Sequence, residues 1–171
     1  KQKTAYEIPK RDWSSDVCSS DLETGDVLLL ASDDMNPQQM GYDEIIFAGF
    51  RQCFPDFYGA IKFWDGLRPK EDPLMTLTVM GIPLYKQFGY IYNPEYKSVY
   101  CDDEQTQVCH RLGKLAVSPL CIARHEWSQK YDELHDRNEN KEMYEVDHNT
   151  YEARKARGFD MEVMFNASAS K

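Results

Sequence analysis

The run Asp26-Val27-Leu28-Leu29-Leu30-Ala31, stopped abruptly by Ser32-Asp33-Asp34, constrains this chain more than any other segment. An amphipathic surface strand alternates apolar and polar residues, and this run does not. It reads as a short strand with apolar neighbours on both faces. Such strands belong to sheets covered by helices on both sides, so the run predicts an α/β fold. The two carboxylates after it then fall at the carboxyl end of a strand, where open α/β sheets hold their ligands.

The remaining pattern alternates strands and helices. Asn36-Pro37 reads as a turn or helix start. Ile45, Ile46, Gly49 and Phe50 recur with helical period over Tyr42 to Phe50, Asp43 and Glu44 suit a first turn, and Pro55 ends the segment. Gly59 to Trp64 and Leu74 to Met80 read as strands, the second broken by Gly81-Ile82-Pro83. Leu84 to Phe88 predicts a short helix closed by Gly89, and Tyr90 to Tyr92 a short strand or extended loop. Asp102 or Asp103 is the expected N-cap of a helix over Glu104 to Leu112 that stops at Gly113. Leu115 to Ala123 is β-like, with Pro119 making it an edge or a broken strand. Residues 127–158 are strongly charged, and Met143, Tyr144 and Tyr151 form a thin apolar stripe. They predict a solvent-exposed helix from about Asn140 to Arg157, followed by a frayed end at Asn166 to Lys171. The expected architecture is a mixed sheet with flanking helices, its central strand being Val27 to Ala31.

Composition narrows the partners. A chain of 171 residues, 42% of them hydrophobic, suffices for one domain with a core. The net charge is -9, from 29 acidic and 20 basic residues. That argues against a nucleic-acid binder or a protein held on an anionic membrane, both of which use a basic face. It leaves room for a nucleotide bound through a metal ion. No apolar run approaches the roughly 20 residues that span a bilayer, so no transmembrane segment is expected. The polar N-terminus lacks the apolar stretch of a signal peptide. The five cysteines form no C-x-x-C pair. Together these predict reduced thiols and a cytoplasmic location.

Adjacent carboxylates such as Asp33 and Asp34 repel each other and need a counter-charge. Mg²⁺ or Mn²⁺ with a diphosphate as co-ligand supplies one. The alternative is that Asp33 caps the following helix and Asp34 is solvated. Cys101-Asp102-Asp103-Glu104 opens a helix, where the dipole alone accounts for acidic residues. Trp64 and Tyr92 belong to an aromatic-rich stretch best suited to a core. If they line a cleft instead, they suit the C–H face of a sugar ring, with Asp65 on a hydroxyl. His110 reads as structural, His135 and His148 as solvated. Cys101, Cys109, His110, Cys121 and His125 have spacings that match no zinc ribbon, finger or knuckle. No G-x-S-x-G elbow or P-loop occurs.

Lys3-Thr4-Ala5 through Ile8-Pro9, followed by Gly25-Asp26, the apolar run and Ser32-Asp33-Asp34, resembles the GT-A glycosyltransferases, in particular family-2-like nucleotide-diphospho-sugar transferases. The resemblance continues through Tyr42 to Phe57 and Tyr90 to Gly113 and ends near Glu126. It implies a GT-A sheet and transfer of a sugar from a nucleotide-sugar donor to a hydroxyl acceptor. It implies that Asp33 and Asp34 hold Mn²⁺ or Mg²⁺ and the donor diphosphate. It also implies that His125 completes the metal shell, an imidazole suiting Mn²⁺ better than Mg²⁺. The acidic step at Asp102 and Glu104, with Asp103 behind them, matches the acceptor-side motif that carries the general base. Two features depart from the pattern. Neither Ala31 nor Ser32 is the acid of a strict D-x-D, and the first βαβ half, which holds the nucleoside base, has no counterpart here. The competing class is a non-catalytic α/β binding or assembly module whose acidic pairs are only caps. A pyrophosphorylase-like relative would carry a Gly-rich N-terminal loop that this sequence lacks.

Asp12 to Leu22 is polar, rich in Ser and Asp, and without helical or strand period. It resembles the conceptual translation of a short-read sequencing adapter. The chain therefore divides into 1–11 as a possible helix remnant, 12–22 as an artefact, 23–126 as a GT-A core fragment and 127–171 as a charged helical tail. The expectation is a C-terminal piece of a longer reading frame. Deleting Asp12 to Leu22 is expected to leave the midpoint of thermal unfolding unchanged; a fall of several degrees would show that the segment packs.

Overall fold

The computed structural model describes residues 26–32, 34–126 and 138–162, with no side chains described at 138–141. Asp12 to Leu22, the expected helix remnant before it, Asp33, His135 and the end beyond 162 lie outside the described residues.

Two wholly buried strands form the centre of the sheet. β3 (Ala60–Phe63) and β4 (Thr78–Gly81) pair antiparallel. β1 (Val27–Leu30) adds antiparallel to β4. β5 (Leu115–Ser118) adds parallel to β3, giving the order β1-β4-β3-β5 in a mixed sheet. Strand periodicity divides the core. Ile61, Phe63 and Val79 pack with Ile46 and Phe50 of α1 (Tyr42–Cys53). Ala60 and Met80 pack with Leu84 and Phe88 of α2 (Ile82–Phe88), Val108 and Cys109 of α3 (Cys101–Arg111), and Tyr151 of α4 (Asn138–Ala156). Helices therefore cover both faces. The class is mixed α/β with a mixed sheet and, among the described residues, four α-helices. A second, two-stranded sheet pairs β2 (Met35–Pro37) antiparallel with β6 (Ala123–His125).

Several expectations need correction. The apolar run is not central: among the described residues β1 is an edge strand with one neighbour, and Leu29 is 38% exposed. An unbroken apolar run thus fixes neither how many strands flank it nor that both of its faces are covered. Asn36-Pro37 is the end of a strand, where a proline is tolerated because β2 is an edge. Leu74 to Leu77 are buried or half-buried without joining the sheet, and Tyr90 to Tyr92 form bends. Pro119 does interrupt Leu115 to Ala123, splitting it into β5 and β6. α3 starts at Cys101, after a left-handed Tyr100, so Asp102 and Asp103 lie in its first turn and neither is its N-cap. His110 is exposed.

Gly81 joins β4 to α2. A Cβ there would stand 1.7 Å from the Phe57 carbonyl oxygen, so only glycine fits the close backbone approach. α2 then begins with Pro83 in its first turn and ends on a left-handed Gly89.

The charged C-terminal segment is not a solvated tail. α4 buries Asp147, Tyr151 and Arg154. The Asp147 carboxylate accepts the backbone N–H groups of Lys97, Ser98 and Val99 at 2.7–3.1 Å. Arg154 donates to both oxygens of Glu104, at 2.7 and 3.0 Å, and to Glu95 and Asp160. The Tyr96 hydroxyl donates to Glu104 at 2.6 Å. The Arg154 and Glu104 side chains are 3% and 4% exposed, so neither charge is tolerable alone. Arg154→Met is expected to cost about 3–5 kcal/mol in urea unfolding, and Arg154→Met with Glu104→Leu to recover most of it. A cost below about 1 kcal/mol for the single substitution would mean that the pair is hydrated, as surface pairs are.

Candidate functional site

The small β2–β6 sheet brings Asp34 and His125 together. Met35 and His125 are register partners, and the Glu126 N–H donates to the Asp34 carbonyl at 2.9 Å. The His125 Nε2 lies 2.8 Å from Asp34 Oδ2, although 91 residues separate them in sequence. The Ser32 hydroxyl donates to the same carboxylate. Burial raises the Asp34 pKa, but the Ser32 hydrogen bond and the His125 charge outweigh it and hold the carboxyl below its ordinary value.

The 2.8 Å separation is that of a hydrogen bond or ion pair. A carboxylate and an imidazole are also groups that could hold a divalent cation. A carboxylate with an imidazole suits Mn²⁺ better than Mg²⁺. His125 Nδ1 is buried and has no hydrogen-bond partner among the described residues. No third His, Cys, Asp or Glu joins the pair among those residues. The rest of a coordination shell would come from diphosphate oxygens and water.

Asp65, expected on a sugar hydroxyl, is committed elsewhere. It is 1% exposed. Its carboxylate accepts the N–H groups of Leu67 and Arg68 and the Thr76 hydroxyl, at 2.9–3.0 Å. Burial raises its pKa, and these three donors more than reverse the effect. Its carbonyl accepts the His125 N–H at 2.8 Å, which ties β6 to the end of β3. Trp64 is likewise engaged: its Nε1 donates to the Arg68 carbonyl at 2.7 Å, and the Lys70 ammonium lies 4.4 Å from the ring centroid. The buried Lys62 donates to the carbonyls of Lys70 and Asp72, at 3.2 and 2.5 Å. The loop 66–73 is thus braced from three sides, and it presents Arg68 to a cleft.

That cleft, of about 370 Å³, is lined by Arg68, Tyr92, Tyr100, Asp102, Asp103 and Tyr144, with smaller contributions from Leu74, Ser98, Val99 and Cys101. It receives Asp102 and Tyr92 from the expected site, but Glu104 lies in the core, both oxygens held by Arg154. The Tyr92 hydroxyl accepts from Thr78 at 3.1 Å, and burial raises its pKa. Arg68, Tyr100 and Tyr144 were not expected. The stripe containing Tyr144 was the only local signal for that residue, and the mixed-charge loop holding Arg68 gave none. His148 is exposed, as expected, and its ring lies 5.4 Å from that of Tyr100.

Asp102 Oδ1 accepts the Asp103 N–H at 3.0 Å. Burial raises the Asp102 pKa, and the neighbouring Asp103 carboxylate raises it further. The helix N-terminus, expected to keep Asp102 weakly basic, is outweighed by these two effects.

No protein-family model, curated protein or solved structure matches the chain. No helix among the described residues is long and apolar enough to cross a membrane.

An acid whose folded pKa lies above its unfolded value holds its proton more tightly when folded. Asp102 therefore removes stability as pH rises from about 4 toward its folded pKa. Asp103→Asn is expected to lower the Asp102 pKa measured by carboxyl ¹³C NMR and to make that loss of stability smaller and complete at a lower pH. An Asp102 titration at the ordinary aspartate value in the unsubstituted chain would contradict the burial described.

Proposed function

We propose that this chain carries the metal and acceptor portions of a GT-A glycosyltransferase of the family-2-like kind. The reaction moves a sugar from a nucleotide-sugar donor to a hydroxyl acceptor. The observation that carries the reading is the contact between Asp34 and His125, which joins the acidic step after β1 to the late histidine across most of the described chain. Composition and spacing did not require these residues to meet; the glycosyltransferase resemblance did. The β2–β6 register places the two side chains side by side, so the contact supports the glycosyltransferase reading without depending on a bound ligand. In α3, moreover, no side chain caps the helix from the N-cap position.

Asp34 and His125 would hold Mn²⁺ or Mg²⁺, which when bound neutralises the charge building on the leaving diphosphate. Asp102 is the general base. In a direct displacement, the acceptor oxygen forms its bond to the sugar's anomeric carbon as the bond to the diphosphate breaks, and the hydroxyl proton passes to Asp102. A carboxylate made more basic by burial and by Asp103 is better suited to that proton than an ordinary one. Glu104 is unavailable for this role because Arg154 and Tyr96 occupy it.

Electron paramagnetic resonance of Mn²⁺ with UDP or GDP tests the metal site. The 171-residue chain is expected to bind Mn²⁺–nucleotide weakly or not at all. In a chain extended by the nucleoside-binding half, bound Mn²⁺–nucleotide is expected, and it is expected to disappear in Asp34→Ala and weaken in His125→Ala. A titration that both substitutions leave unchanged removes the pair from the site. In a transfer assay, Asp102→Asn is expected to lower turnover by about 10² to 10⁴ with donor affinity nearly unchanged. Full activity of that variant would reduce Asp102 to a helix-turn residue.

A further inference from the structure

The lining of the cleft restricts the chemistry of its occupant. Tyr100 and Tyr144 meet edge to face, their ring centroids 5.3 Å apart and their hydroxyls 2.7 Å apart. Tyr144 belongs to α4 and is 55% exposed, so its ring is only partly covered by the fold. Tyr100 holds a positive φ of 64°, a conformation costly for an aromatic residue, and its ring is fixed from behind by Tyr151, with centroids 5.3 Å apart. One wall of the cleft is therefore an aromatic pair built from two distant segments. Asp102 and Asp103 supply two carboxylates on another wall. Arg68 is the cation among the described lining residues, and its charge is shared among Asp72, at 2.7 Å, and the carboxylates of Asp102 and Asp103. An anionic ligand would meet more carboxylates than cations. A neutral ring would donate hydroxyl protons to those carboxylates and lay its C–H face on a tyrosine.

We propose that this cleft binds an uncharged pyranoside ring and that Tyr144 of α4 is the residue that determines its affinity. Identifying the bound ring as the acceptor rests on the glycosyltransferase reading; the binding itself does not. Phosphorylated sugars and uronic acids are excluded by charge. α4 thereby becomes part of the site, as the wall that stacks on the ring.

The test is an NMR titration of the whole chain, without metal or nucleotide. The probes are the methyl glycosides of glucose, galactose and mannose, with glucuronate and glucose 6-phosphate as charged counterparts. At least one methyl glycoside is expected to saturate in the millimolar range and to shift the ring signals of Tyr100 and Tyr144. Tyr144→Ala is expected to weaken it by about tenfold and Tyr144→Phe to retain most of the affinity, because the contact is a stack. Tyr144 is exposed enough for both variants to fold, which their unfolding curves would check. Binding of a charged probe as tight as that of the best glycoside overturns the proposal. So does the absence of any glycoside-induced shift, or an unchanged affinity in Tyr144→Ala. Failure of the Mn²⁺–nucleotide experiment leaves this titration unaffected, so the two readings fail separately.

Discussion

The rest of the structure hangs on the guanidinium of Arg154. It draws carboxylates from three places: Glu104 on α3, Glu95 in the loop before it, and Asp160 beyond α4. Burial disfavours its charged form, yet the bonds to Glu104 more than compensate and raise its pKa. Burying such a pair does not outperform an apolar contact of equal volume. Its effect is on geometry, because only one arrangement of α3 and α4 satisfies both ions. Asp147, about two helical turns earlier on the same face of α4, adds a second fixed point by collecting three consecutive backbone N–H groups. With both anchors in place, the loop 94–100 has little freedom, and Tyr100 and Tyr144 are held against each other.

A comparable arrangement operates just beyond β3. Asp65, just beyond β3, faces two ways: its carboxylate organises the loop carrying Arg68, and its carbonyl holds the strand carrying His125. Lys62, two residues inside β3, grips the far end of the same loop. A central strand therefore reaches both the Asp34–His125 pair and the wall of the cleft through Asp65 and Lys62. This is a familiar role for buried charge near a site: it fixes loops that backbone pairing leaves loose.

Local pattern carried much of the fold. α2 was legible because Pro83 and Gly89 bracket it, α3 because Gly113 stops it, and β3 because its residues alternate between two cores. What escaped depends on partners distant in sequence. The apolar run of β1 looks the same at the edge as in the centre. Glu104 looks like one more acid at a helix start until Arg154, 50 residues later, arrives beside it. Asp65 looks like a free acid beside an aromatic residue, because nothing in the sequence marks the loop N–H groups that turn back onto it. In the candidate site, neither the acid–histidine contact nor the aromatic wall is marked by local sequence; the first needs the β2–β6 register and the second the path of α4.

The register of β2 against β6 also bears on how the molecule acquires its structure. These short strands contribute few backbone bonds, and the chain between them must close a loop of some ninety residues. Closure of a long loop is entropically unfavourable, and a short ribbon cannot drive it alone. The intervening sheet has to form first and bring the two ends within reach. Asp34 and His125 would then meet late in folding, and partly folded forms would lack the pair. Any ligand bound there would favour the completed fold over its precursors, linking occupancy to the stability of the whole chain.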